Sequence, residues 1–386
     1  MRRRAFLLGS AALLASPRRA RGAGTARGWW EAVFARMPSA LAEVARDPQF
    51  RVQLRCLRPA HGERFDWGLQ PRRWYSAGSV VKLPMALLMA ERLSALGLDA
   101  RARLEVAPPA SGEWPSGEPA AESFAHGLRR TFAVSDNAPF NRWYELLGTD
   151  AVHARLAAMG WPHVRLIARL GSADRKANRR TGGGRVREED GRIVAALPAR
   201  DGRPRRFPFG AALDGTGWRE DDGSVRPGPH DFAHANFLPL ADALDMLQAF
   251  LVPESVPRWR RWRIAGPLRA QLLHALAARP RDAGEPTWPE ATHPDGYARW
   301  LFVGDGGRYP PELTVFGKAG MAYGFLTETA WVVDRARGLQ FALAASVYAN
   351  RDGVFNDDRY EYAEVALPFL HALGHAVWDH ERELAA

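Results

Sequence analysis

Apolar residues recur along this chain with two different periods, and the change of period marks its elements. Trp29, Trp30, Val33, Phe34, Met37, Leu41 and Val44 repeat at helical spacing, which predicts a helix over residues 28–47 ended by Asp47-Pro48. Phe50, Val52, Leu54 and Cys56 then alternate with polar neighbours, as a half-buried strand does. Phe65, Trp67 and Leu69 alternate again, predicting a hairpin through Pro59–Glu63. From Val80 to Met89 the chain is almost continuously apolar and stops at Gly97, the pattern of a buried helix with glycine just past its end. Residues 100–127 are rich in Pro, Gly, Ser and Ala and hold no long periodic run. Helices are predicted over Phe124–Val134, Phe140–Leu147 and about Asp150–Met159, and later over Pro239–Phe250 and Pro267–Ala278. Strands are predicted from Thr314 to Lys318, Thr329 to Val333 and Leu339 to Tyr348, and a last helix from Tyr360 to Leu384. Strands at both ends with helices between them indicate an α+β fold. The antiparallel sheet is then built from both chain ends and packed with terminal helices, beside an all-helical subdomain.

Composition changes this picture in three places. Arg2-Arg3-Arg4, an apolar stretch from Ala5 to Ala15 and small residues up to Ala23-Gly24 form a three-part export signal of twin-arginine type over residues 1–23. Its apolar run is too short for a membrane span. The expected compartment is therefore the periplasm or the exterior, with no stable membrane span once the signal is removed. The signal carries six arginines, so its loss lowers the formal charge from +10 to +4, too weak a surplus to argue for nucleic acid as a partner. Residues 172–235 are dominated by Gly, Arg and Asp with short apolar patches such as Ile193–Leu197. They read as a surface insertion in one domain spanning 24–386, because they lack the apolar content for a separate core. Cys56 is the only cysteine and reads as a packed small residue, with no internal disulfide available.

The candidate chemistry starts at Ser79. Lys82 follows three residues later, and positions i and i+3 share one face of a helix. A serine hydroxyl is a weak nucleophile until a base activates it, and a lysine can serve as that base once burial lowers its pKa. Ser79 could equally be a plain helix N-cap. Lysine usage shifts the balance: of 53 Lys and Arg residues only Lys82, Lys176 and Lys318 are lysines. A chain that uses arginine for ordinary charge keeps lysine where a proton must leave.

Ser79-Val80-Val81-Lys82, Ser135-Asp136-Asn137 and Lys318-Ala319-Gly320 stand in that order. Together they resemble the class A β-lactamase and penicillin-binding serine hydrolases, whose signatures are S-x-x-K, S-D-N and K-T-G. Singly, Ser135-Asp136-Asn137 would do as a capping cluster and Lys318 as a solvent-facing edge lysine. The resemblance implies a cleft between sheet and helical subdomain, Ser79 as nucleophile and Lys82 as its base or relay. It also implies that Ser135 passes the proton to the leaving nitrogen, that Asn137 holds a substrate carbonyl and that Lys318 supplies positive potential. The backbone amides of Ser79 and Met321 would form the oxyanion hole, with Gly320 allowing substrate close to the strand. Such an enzyme takes an amide or ester (a β-lactam or peptidoglycan-type peptide), uses no cofactor or metal, and is expected to be a monomer.

Two departures bear on the substrate. Ala319 replaces the usual hydroxyl residue that helps hold a substrate carboxylate. Arg165–Arg180, where a class A enzyme carries its deacylating glutamate, has Asp174 as its only acid. A penicillin-binding-type D-alanyl peptidase that deacylates slowly is therefore an alternative, as is a non-catalytic binding module on the same fold. His371 and His375, four apart with His380 beyond, have a spacing compatible with a metal but lack the glutamate of a metalloprotease pattern. The 14 tryptophans read mainly as packing, with the lining of a groove for a cell-wall or glycan ligand as the alternative for some of them.

Overall fold

A computed structural model describes residues 25–285, 287–303 and 307–385. The export signal predicted over residues 1–23 lies outside them. The central sheet has five antiparallel strands: β1 (Gln53–Arg58), β2 (Glu63–Trp67), β3 (Leu313–Ala322), β4 (Phe325–Asp334) and β5 (Leu339–Tyr348). Their spatial order is β3-β4-β5-β1-β2, so the two chain ends meet where Leu54 pairs with Ala345 and Cys56 with Leu343. β1 and β2 form the predicted hairpin, with Gly62 in the left-handed region at its turn.

One face of the sheet is covered by the terminal helices α1 (Ala26–Phe34) and α2 (Ser39–Val44). The single helix expected over 28–47 is therefore two. Pro38, which has no N–H to continue the first helix, caps the second. Trp29, Trp30 and Phe34 pack there with Phe369, Leu373 and Val377 of the C-terminal helix, and Cys56 is buried among them. The expected 360–384 helix opens as a π-turn over Tyr362–Ala366 before its regular part, Leu367–Ala385.

The other face carries the helical half. It contains α3 (Lys82–Ala95), α4 (Phe124–Ala133), α5 (Ala138–Leu147) and α6 (Thr149–Ala158), the short α7 (Arg175–Arg179), α8 (Leu240–Leu251) and α9 (Gly266–Ala277). α3 is buried on nearly every side, as its unbroken apolar run requires, and Gly97 follows it with φ +71°. Pro84 falls in its first turn, where a missing N–H breaks no helical bond.

Between α6 and α8 the chain makes short strands. Gly184–Arg187 pairs with Ile193–Leu197 and with Arg103–Glu105, while Gly217–Arg219 pairs with Val225–Pro227 and Val354–Phe355. Val186, Phe207 and Phe232 from this region are buried in the core of the helical half. No helix among the described residues is long and apolar enough to cross a membrane.

Candidate active site

The turn before α3 is a short 3-10 helix, Gly78–Val81, so Lys82 is the first residue of the α-helix and Ser79 lies one turn earlier. Ser79 caps nothing with its side chain. Its Oγ lies 2.8 Å from Lys82 Nζ, which overturns the bland capping reading. The turn is held against β3 by two glycines. A Cβ on Gly320 would stand 2.2 Å from the Ser79 amide nitrogen, and one on Gly78 would stand 2.7 Å from that of Met321. Gly78 also has φ +48°, which side-chain-bearing residues rarely adopt. The two missing side chains bring the Ser79 and Met321 amides to one junction, where donors for a developing oxyanion are needed. Gly320 is thus required by the approach of the Ser79 backbone, beyond the close approach of substrate expected from the sequence.

Ser135, Asp136 and Asn137 form the loop between α4 and α5. Ser135 sits at φ +63°, a conformation that costs a side-chain-bearing residue about 1 kcal/mol or more and persists only when its surroundings enforce it. Asp136 does so: one carboxylate oxygen caps the Ala138 amide at 2.9 Å and the other accepts from Arg130 Nε at 2.8 Å. Ser135 thereby presents two oxygens to Lys82 Nζ, its carbonyl in close contact and its Oγ at 3.1 Å. From the opposite wall Lys318 Nζ donates to the same Oγ at 2.9 Å and to the Ala319 carbonyl at 2.6 Å.

The amines are buried and the hydroxyls are reachable. Lys82 and Lys318 are both 0% exposed, while Ser79, Ser135 and Asn137 are half-buried. The edge-lysine reading of Lys318 is therefore excluded. Burial pulls the Lys82 pKa down to about 7, against the opposing charges of Asp136 and Glu113. Burial pulls Lys318 down as well, helped by the charge of Lys82. Two buried ammoniums sharing one hydroxyl repel, so the pair favours losing a proton near neutral pH. Lys82 has three oxygen neighbours. An ammonium gives each a proton; a neutral amine gives two and accepts one from Ser79, so the proton can move without rearrangement.

Glu113 is a site residue that sequence reasoning did not find. Its Oε2 accepts from Asn137 Nδ2 at 2.7 Å, leaving that amide one N–H for a substrate carbonyl. Its backbone is clamped to the Arg165–Arg180 loop, with its N–H on the Leu170 carbonyl at 2.9 Å and its carbonyl on Asn141 Nδ2 at 2.9 Å. Asn141 also binds both backbone groups of Leu170. The loop is pinned from inside by Arg169, which is buried against Glu145 at 2.6 Å and donates to the carbonyls of Ala177 and Arg180. Where this loop meets the site it offers Leu170, and Asp174 is spent capping α7 through the amides of Lys176 and Ala177. Nothing in the Ser111–Pro115 stretch marks Glu113 from sequence, because it carries no period and its partner is 24 residues away.

One expected contact falls differently. Ala319 was expected to touch substrate, but its methyl is buried in the cluster beneath the terminal helices, because alternate residues of a strand face opposite sides. Only its carbonyl stays with the site, on Lys318. The Met321 side chain, in contrast, is 43% exposed. His375 contacts the Val303 carbonyl at 3.2 Å, and among the described residues no group of three or more metal-capable side chains converges.

Residues 37–192 match the model of the beta-lactamase enzyme family. The fold is similar to that of the TLA-3 extended-spectrum beta-lactamase, at 14% identity and TM-score 0.53 over 90% of this chain and 98% of that one. It is similar also to a beta-lactamase from Chitinophaga pinensis, at 13% identity and TM-score 0.52 over 88% and 97%. No curated protein matches the chain in sequence. The S-x-x-K and S-D-N residues lie inside the matched segment and the fold is shared along nearly the whole length of both neighbours, which together support a β-lactamase-like serine hydrolase.

Proposed function

We propose that this is an exported hydrolase that opens an amide or ester through an acyl-enzyme on Ser79, its substrate a β-lactam or a peptidoglycan-type peptide. The observation that carries this reading is the chain of contacts Ser79–Lys82–Ser135–Lys318, with both amines buried. Lys82 takes the Ser79 proton as Oγ bonds to the carbonyl carbon, and the oxyanion forms against the amides of Ser79 and Met321. On collapse the C–N or C–O bond breaks, and the proton passes from Lys82 through Ser135 Oγ to the leaving atom. Asn137 holds the neighbouring carbonyl and Lys318 keeps the Ser135 hydroxyl oriented. Water then attacks the ester carbonyl, giving its proton to Glu113; the bond from the carbonyl carbon to Ser79 Oγ breaks, the acid is released, and the proton held by Glu113 returns to Ser79 Oγ. The scheme asks for no metal or cofactor. The arginine-led N-terminus supports export, and residues 24–386 act as one domain with an insertion at 172–235.

Intact-mass measurement after exposure to a panel of β-lactams and activated esters tests the reading. An adduct on the wild type that is lost in Ser79→Ala supports it; no adduct with any member, or one that survives the substitution, overturns it. The slow-releasing peptidase is favoured by one observation, the loop that offers Leu170 in place of an acid. A stable penicillin adduct selects that reading, and repeated turnover of a chromogenic cephalosporin selects a β-lactamase.

A further inference from the structure

Behind the Arg165–Arg180 loop, away from Ser79, lies a cavity of about 430 Å³, within the size range of small-ligand sites. Arg175, Lys176, Arg179, Arg203, Arg205 and His234 line it, and no carboxylate does. Only two of these cations have carboxylate partners: Arg205 meets Asp150 at 3.0 Å and Arg175 approaches Asp231 at 3.7 Å. Among the described residues Lys176, Arg179 and Arg203 form no side-chain ion pair with an acid, although most arginines do; Arg203 meets Asp150 only through its backbone N–H, at 3.2 Å. Arg205 Nε is buried with no hydrogen-bond partner, a cost a protein carries at a place where a partner arrives. Lys176 is also the one lysine of three that the catalytic relay leaves unused.

We propose that this cavity binds a multiply charged phosphate group, of the size and charge of a pyrophosphate. Three unpaired cations balance such a group, and the planar guanidinium fork matches phosphate oxygens in pairs. Ile167 and Thr149 give the cavity an apolar and a hydroxyl wall, which leaves room for a group attached to the phosphate. The chain that forms its rim continues through Asn178 and Arg169 to Leu170, so the occupant sits on the far side of the loop that clamps Glu113.

The test uses inorganic pyrophosphate and the full mature chain. At low ionic strength a hundredfold excess over Kd is expected to raise the thermal midpoint by about 3 °C. Sodium chloride at matched ionic strength is expected not to do so. The double variant Arg179→Gln/Arg203→Gln should lose the shift while keeping esterase activity; an exposed control of equal charge change, Arg27→Gln/Arg103→Gln, should keep it. A shift that survives in the first variant, that the control also loses, or that chloride reproduces overturns the proposal, as does no shift at all. Co-sedimentation with phosphatidic acid vesicles, whose phosphomonoester can carry more than one charge, then sorts the source. Binding that the double variant loses places the phosphate on a lipid, and pyrophosphate binding without vesicle binding places it on a soluble ligand.

Discussion

Gly320 touches the backbone of Ser79 so closely that a methyl group on it would stand 2.2 Å from the Ser79 amide nitrogen and 2.5 Å from the Ala77 carbonyl. Both obstacles are backbone, so neither can swing aside as a side-chain tip would. The Gly320→Ala variant must therefore push the Ser79 turn off β3 and separate the Ser79 and Met321 amides. Loss of an oxyanion donor lowers rates by about 100- to 1,000-fold, and a fall of that order in acylation by an activated ester is expected. Gly97→Ala, at an open glycine after α3, should leave acylation near the wild-type rate.

The pH dependence follows from Lys82. Burial brings its pKa from the ordinary lysine range down to about 7, so the amine is free above that pH and protonated below it. Acylation measured from pH 5 to 9 should fall tenfold per unit below about 7 and level off above it. Lys82→Arg places a group there that keeps its proton throughout this range. It should lose about 100-fold or more at every pH, with no rising limb. A rising limb near 7 retained by that variant would show that another group is the base.

The buried lysines were legible because lysine is rare in this chain, and the first hairpin because Leu54, Cys56, Phe65 and Trp67 alternate with polar neighbours, whereas β4 and β5 are buried on both faces and show as longer runs. Strand alternation also held a warning about Ala319, since Lys318 and Gly320 share one face and the residue between them must point to the other. The break at Pro38 was visible too, as a residue without an N–H inside a helical period. Glu113 and Gly78 could not be found this way. Each acts through a contact between segments far apart in the chain, and neither the acid nor the glycine differs locally from those of an ordinary turn.

Stability of the Ser135 loop depends on a buried charge cluster. Arg142 is wholly buried and donates to Glu122 at 3.0 Å, to Glu118 at 2.8 Å and to the carbonyls of Leu104, Ala120 and Pro119. Arg130 joins the same two glutamates to Asp136. Arg142→Leu strands Glu122, whose carboxyl burial already holds above its usual range despite both arginines. A loss of about 3–5 kcal/mol in urea unfolding is expected. A group whose folded pKa is raised binds more protons folded than unfolded, so this deficit should grow as pH rises from 4 to 8. Adding Glu122→Gln should recover part of it by removing the stranded charge.

The last prediction separates the two half-reactions. Asn137 Nδ2 and the Leu170 backbone hold Glu113 beside the site, and its charge reaches Lys82, so it is placed to take a proton from water attacking the ester. Glu113→Gln keeps the shape and an acceptor for Asn137 but cannot hold that proton. Acylation should change less than about tenfold, since the relay from Ser79 to Lys318 is untouched, while release of the adduct slows by about 100-fold or more. Time-resolved intact mass reads both at once: a normal rise of the adduct followed by its persistence assigns Glu113 to the second step. Loss of adduct formation would instead make Glu113 a support for Asn137 in binding. Unchanged release would mean that water reaches the ester without it.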